Sequence, residues 1–292
     1  MNFLRKIYLD FRYYLYKVIY PFPKVYSKEE TLERVIKSGK SVARFGDGEF
    51  HLISHTEKLG FQDINRDLSN KLLEVLISNN NNCLICIPEG LYTVKRFNTH
   101  GRFFWKQFIV FHFKKYLKYF KYDVIYDNSF ITRPYMDYGD KTKAGGYFLK
   151  LKELWNNKNI LIVEGDMSRL GVGNDLFNNT KSISRILTLS KNAFSVYEKL
   201  LNKIKEEIVE RKFDMVLIAL GPTATVLAYD LSNEGVQAID IGHIDIEYEW
   251  YSMGASNKVE VPGKHVNEVN FEPNVEDFKN DLYQQQIIAK IT

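Results

Sequence analysis

The 292-residue sequence predicts a doubly wound α/β fold, a mostly parallel sheet with helices on both faces, preceded by an amphipathic amino-terminal helix. Three observations carry that expectation. Seven short apolar segments, at 42–45, 83–87, 122–126, 159–163, 185–189, 214–220 and 236–241, alternate with stretches of helical period. Four of these segments run into glycines and polar side chains, at 46–49, 165–175, 221–225 and 242–249. In parallel strands those transitions gather on one sheet edge, where open α/β folds bind ligands. With 45% hydrophobic residues the chain can also bury a large core.

Taken in order, residues 1–24 form a segment rich in basic and aromatic residues. Phe3, Leu4, Ile7, Tyr8, Phe11, Tyr14, Leu15 and Val18 recur at helical spacing, Arg5, Lys6, Arg12 and Lys17 fall largely elsewhere, and Pro21 and Pro23 end the helix. Such a helix lies in a membrane interface, or packs on its own domain or on a second subunit as a homodimer. The aromatic block 103–122 carries the same two readings.

The main domain spans 25–255. Ser27 and Glu30 form a capping box for a helix stopped near Gly39, and the strand at 42–45 follows. A helix at 65–78 and an Asn-rich turn lead to the strand 83–87; a helix over 95–122 is interrupted near Gly101. Helices at 146–156 and 192–211, and one opening at Pro222, separate the later strands. The tail 256–292 is irregular until a terminal helix at 275–290.

Charge is nearly balanced, 40 basic against 36 acidic residues, which does not point to a nucleic-acid protein. Cys83 and Cys86 alternate with aliphatics in a buried strand, although their spacing also suits a redox or metal pair. With no export signal and no disulfide framework, the expected location is the cytoplasm.

Five constellations carry chemistry. Gly46-Asp47-Gly48-Glu49 places two carboxylates one residue apart on a loop at a strand end, suited to a hard divalent cation or simply to a surface turn. Gly221-Pro222-Thr223 opens a helix whose N–H groups suit a phosphate, though a tight strand-to-helix turn needs the same residues. In 168–175, Arg169 can pair with a diphosphate while Gly171 and Gly173 let backbone approach it, with Asn174 at a helix start. His243, Asp245, Glu247 and Glu249 recur at period two, so in a strand they share one face lining water, metal or substrate. Arg44 and Arg133 bind a ligand or form internal ion pairs.

The ordered set ARFGDGEF, NSFITRPY, ILIVEGDMSRLGVGNDLF, ALGPTATVLAYDL and DIGHIDIEYEW closely resembles the GT-D-type glycosyltransferases, a family first catalogued as a domain of unknown function. The resemblance implies a Rossmann-like transferase using a nucleotide sugar, a UDP-sugar, and Mn²⁺ or Mg²⁺ held by Asp47 and Glu49. It implies a hexose moved to a glycan acceptor in bacterial surface synthesis, a glycoprotein as for adhesin-modifying members; if the aromatic segments 1–24 and 103–122 bring the chain to the inner membrane face, the expected acceptor is a lipid-linked oligosaccharide. Arg169 and the 171–174 backbone would neutralise the leaving nucleotide, assisted by Arg44, Gly46, Arg133, Gly221 and Thr223. A base from Asp245 or Glu247, with His243 beside it, is our own inference and applies if the reaction inverts configuration. A metal-dependent phosphoesterase and a non-catalytic nucleotide-sugar binding protein remain the alternatives.

Overall fold

The computed structural model describes residues 3–269 and 280–292. The chain opens with α1 (Phe3–Ile19), β1 (Lys24–Val25), α2 (Lys28–Ser38), β2 (Ser41–Arg44), α3 (Asp47–Ile53), α4 (Arg66–Ile77) and β3 (Cys83–Ile87). It continues through α5 (Glu89–Tyr92), α6 (Thr99–Phe111), β4 (Ile125–Asn128), α7 (Ala144–Lys152), β5 (Asn159–Gly165), β6 (Ser182–Thr188) and α8 (Tyr197–Arg211). The last elements are β7 (Met215–Ala219), α9 (Pro222–Asn233), β8 (Ala238–Asp240), α10 (Ile244–Ser252), α11 (Asp281–Gln286) and β9 (Ile287–Lys290).

The nine strands form one sheet in the order β1-β4-β3-β2-β8-β7-β5-β6-β9, and all pairings are parallel. Successive strand residues bury against opposite layers, as the period of two requires. Leu161 and Val163 of β5 join the layer of α4, α6, α8 and α9, while Ile160 and Ile162 join that of α2, α7 and α10. Cys83 and Cys86 fall in opposite layers, and burial pushes the Cys83 thiol up to about 12, so the two are core residues.

Local signals read in the sequence recur. Ser27 N–H donates to Glu30 Oε2 at 2.8 Å, Glu30 N–H donates to Ser27 Oγ at 3.1 Å, and Gly39 closes α2 at φ 63°. Three expectations shift. Gly101 does not interrupt α6, because it sits in the first turn with its N–H donated to Asn98 Oδ1 at 2.9 Å. Strand β4 lies later than 122–126, since its buried residues Asp127 and Asn128 are polar. Arg34 Nε donates to Asp127 Oδ1 at 2.8 Å, and the Asn128 side-chain amide donates to the Tyr26 carbonyl at 3.0 Å and to Glu89 Oε2 at 3.1 Å, so burial there does not need apolar side chains. The expected terminal helix is short and gives way to β9, which pairs with β6; residues 275–279 of it lie outside the described residues.

The 103–122 block is core: Trp105, Phe108, Ile109, Phe113 and Tyr116 are buried, and Phe22 stacks on Phe113 at 4.5 Å. Helix α1 docks on α6 through buried Leu9 and Tyr13. Lys17 Nζ donates to the carbonyls of Leu91 and Tyr92, each at 2.8 Å, and Lys106 pairs with Asp10 at 2.7 Å.

Candidate active site

The carboxyl ends of β2, β8, β7 and β5 open into a pocket of ≈ 560 Å³, which takes in Arg44, Gly46, Asp47, Glu49, Gly165, Gly221, Asp240 and His243. The four strand-to-glycine transitions therefore meet on one sheet edge. Aromatic rings of Phe61, Phe104, Trp105 and Phe130 wall it.

Its acidic side comes from β2. The chain does not make an open loop after Arg44; Gly46 is the N-cap of α3, and Glu49 at the third position accepts the Gly46 N–H at 2.6 Å. A leucine side chain presses on the same turn, since a Cβ on Gly48 would lie 3.0 Å from Leu59 Cδ1. Asp47 and Glu49 both line the pocket, and among the described residues neither forms an ion pair. Burial raises both carboxyls, Glu49 to about 7, with Asp240 and Asp47 adding to the Glu49 shift. Two desolvated oxygen donors without a cation are a donor set that fits Mg²⁺ or Mn²⁺. A separate trio, His51 of α3, Glu57 beyond its end and His112 at the end of α6, brings its ligand atoms within 4.8 Å of one another; it is not part of the pocket lining.

Arg44, unusual in a strand, pairs with Asp240 at 3.2 Å and donates from Nε to the Ser129 carbonyl at 2.8 Å. Gly242 follows at φ +44°, where a Cβ would meet Arg44 Nη1 at 2.1 Å. This close approach fixes the guanidinium against the β8 end.

The basic side of the pocket is Arg133 and Lys258, joined by Glu268. Arg133 Nη2 donates to Glu268 Oε1, and Lys258 Nζ lies 2.7 Å from Glu268 Oε2. Burial alone would raise the Glu268 carboxyl, but Arg133, His243 and Lys258 hold it well below the usual range. His243 lines the pocket 3.8 Å from Glu268, and burial lowers its pKa to about 4, so the ring is neutral near pH 7.

The expectation that His243, Asp245, Glu247 and Glu249 share a strand face is overturned. Residues Ile244–Ser252 form α10. Helical spacing puts Asp245 and Glu249 on one side, where Lys264 Nζ bridges them at 2.7 Å to each. Glu247 points elsewhere and its Oε2 accepts the Tyr135 and Met136 N–H groups at 2.8 and 3.0 Å. Charges satisfied in this way permit a helix buried on most sides, and its apolar-polar alternation then mimics a strand. Asp245 lines the pocket, but its oxygens already accept from Gly171 N–H, Asn174 Nδ2 and Lys264. Glu247 lies outside the lining, its carboxyl raised by burial to about 7.

Arg169, Gly171, Gly173, Asn174 and Thr223 are also outside the lining. Arg169 Nη1 donates to the Gly263 carbonyl at 2.9 Å and borders a second concavity with Asp166 and Tyr283. Gly171, at φ +70°, leaves no room for a Cβ beside Phe177, and Asn174 ties the loop to Asp245 and Glu249. Buried Arg185 anchors the start of this loop, pairing with Glu164 at 2.5 Å and donating to the Leu170 carbonyl at 2.8 Å. At the α9 entrance Gly221 lines the pocket under Phe61, whereas Thr223 is fully buried with its Oγ1 unpartnered.

Sequence reasoning did not single out Asp240, Asp137, Lys258 or Glu268, all of which line the pocket. Asp240 carried a signal, an acid at a strand end before Gly242. Lys258 and Glu268 lie in a segment without period and carried none.

Residues 42–269 match the family described as glycosyltransferase GT-D fold. The chain is 42% identical over 268 residues to a curated protein of Streptococcus gordonii, "Probable glycosyl transferase Gly", covering 91% of this chain and 39% of that protein. It is 38% identical over 267 residues to "Glycosyltransferase GlyD" of Streptococcus pneumoniae serotype 4, covering 90% of this chain and 32% of that protein. The chain thus spans less than two fifths of either relative's length. A solved structure described as a new glycosyltransferase (DUF1792) from Streptococcus sanguinis is similar at TM-score 0.87 and 41% identity, covering 92% of this chain and 100% of that one. A second, described as domain of unknown function 1792 with a distinct glycosyltransferase fold, gives TM-score 0.85 and 42% identity, covering 92% and 95%.

Proposed function

The chain belongs to the GT-D fold glycosyltransferase family, and on that premise we propose that it transfers a hexose from a UDP-sugar to a glycan acceptor, with Asp47 and Glu49 holding Mn²⁺ or Mg²⁺. The observation that carries this reading is the pair of carboxylates, without ion-pair partners among the described residues, lining a pocket whose other side presents Arg133 and Lys258. A bound divalent ion would supply electrostatic stabilisation of negative charge on the departing diphosphate.

The protein's own groups take the remaining roles. Arg133 and Lys258 face the pocket and take the phosphate-binding part first expected of Arg169; Arg44, clamped by Asp240, holds the floor between them and Gly46. Phe61 and Trp105 supply apolar wall area for base or sugar rings and exclude water. Of the two carboxylates expected to act as base, Asp245 is held by Lys264 and Glu247 lies outside the lining; the neutral His243 ring, which does line the pocket, would orient the acceptor hydroxyl by accepting its hydrogen bond. The acceptor belongs to bacterial surface polysaccharide or glycoprotein synthesis at the cytoplasmic side of the membrane.

Isothermal titration with UDP, with and without Mn²⁺, tests the proposal. Metal-dependent binding lost in Asp47→Ala, with the fold intact, supports it. No binding to any nucleotide by folded protein removes the donor site, and sugar release without acceptor elongation makes the chain a hydrolase.

A further inference from the structure

We infer that the outward face of α1 docks on an anionic phospholipid surface. At 100° per residue, every residue of α1 between Leu4 and Ile19 that falls within an outward arc of about 140° is apolar or aromatic. Leu4, Phe11 and Val18, along its centre, are 69%, 65% and 85% exposed. Ile7 and Leu15 flank them, and Tyr8 and Tyr14 stand near the edges, all exposed. This is the stripe that amphipathic spacing would ordinarily send into the core, yet it faces away from it. The helix is held instead by its opposite side, through buried Leu9 and Tyr13 and by the Lys17 bonds to the α5 carbonyls. The apolar face is therefore presented rigidly.

The surrounding charge selects the occupant. Arg5 and Arg12 border one side of the arc and Lys6 lies beyond the other. The helix's single acid, Asp10, is taken up by Lys106. Apolar residues, tyrosines at the rim and cations beside them match the acyl, interfacial and headgroup layers of an anionic bilayer in turn. A second copy would set the same basic border against itself. No helix among the described residues is long and apolar enough to cross a membrane, so the helix would lie on the surface. The inference stands independently of the donor-site reading. If both hold, the lipid-linked oligosaccharide is the favoured acceptor.

Flotation of the full chain with vesicles of phosphatidylcholine, alone or mixed with phosphatidylglycerol, tests this. The chain should float with the anionic vesicles, less so at high salt. The double variant Phe11→Glu/Val18→Glu should lose at least about tenfold in partitioning while keeping its melting temperature and nucleotide binding. Wild-type protein that stays with the soluble fraction, or a double variant that floats equally well, overturns the inference. So does a wild-type dimer that the double variant converts to monomer without any lipid binding, because the face is then a protein interface. Nucleotide titration of the same samples keeps failure here separate from failure of the donor site.

Discussion

Glu49→Gln gives a sharp test of how the acidic side of the pocket is built. Burial lifts the Glu49 carboxyl from 4.5 to about 7. With ~1.4 kcal/mol for each tenfold change in proton affinity, that makes its ionisation roughly 3 kcal/mol costlier in the folded protein than in the unfolded chain. The folded pKa is raised, so the stabilisation belongs to the neutral form. It is fully present below 4.5 and is lost as pH rises through about 7. Glutamine stays neutral and can still accept the Gly46 N–H through its amide oxygen. In urea unfolding without metal, the variant should match wild type near the acidic end. It should exceed wild type by up to about 3 kcal/mol above neutrality. Glu247 is also raised to about 7, but it contributes to both proteins and cancels in the difference. Added Mn²⁺ should stabilise wild type and not the variant. Parallel stability profiles of the two proteins across this pH range would refute the reasoning.

Other perturbations act on separate contacts. Lys264→Met leaves the buried Asp245 carboxylate without its cation and should lower unfolding free energy by about 3–5 kcal/mol, read as a fall in urea midpoint at constant m-value. Glu268→Gln frees Arg133 and Lys258 from their shared carboxylate, so metal-dependent UDP binding should tighten several-fold by titration. Gly90→Ala would set a methyl 2.2 Å from the buried Trp105 ring. A stability loss of about 1–3 kcal/mol, with weaker ligand binding because Trp105 lines the pocket, should follow in paired melting and titration experiments.

The sheet was legible because strands such as β5 and β7 are buried on both faces and read as unbroken aliphatic runs, ended by residues needed for tight turns. Arg44 was legible as an oddity, and its partner Asp240 explains it. What failed did so where contacts come from far along the chain. The period-two pattern at 243–249 fits either a strand or a helix, and the lysine that resolves the ambiguity, Lys264, lies outside the pattern. Of the glycines near Arg169, Gly171 makes a close backbone approach, whereas Gly173 has open space beside it. The groups that Gly171 approaches are Phe177, just outside 168–175, and Asp245, far along the chain. Lys258 and Glu268 take their places through pairing with Arg133, which no local propensity encodes.

The charge layout of the pocket bears on the order in which ligands enter. Among the described residues six carboxylates line it, from Asp47, Glu49, Asp137, Asp240, Asp245 and Glu268, against the permanent cations Arg44, Arg133 and Lys258. Four of the six have cations beside them: Asp240 has Arg44, Asp245 has Lys264, and Asp137 and Glu268 share Arg133 and Lys258. The remainder is Asp47 and Glu49, and their combined charge when ionised is that of one divalent cation with its sign reversed. Above neutral pH, where the Glu49 carboxyl raised to about 7 has ionised, a nucleoside diphosphate entering before that charge is matched would meet two desolvated anions at the sheet edge, where the low dielectric strengthens repulsion. Entering after it, the same diphosphate would meet a cation on that side and Arg133 with Lys258 on the other. On the proposed reading, electrostatics therefore favours the metal ahead of the nucleotide above neutral pH, and titration there should find nucleotide affinity weak in the metal's absence.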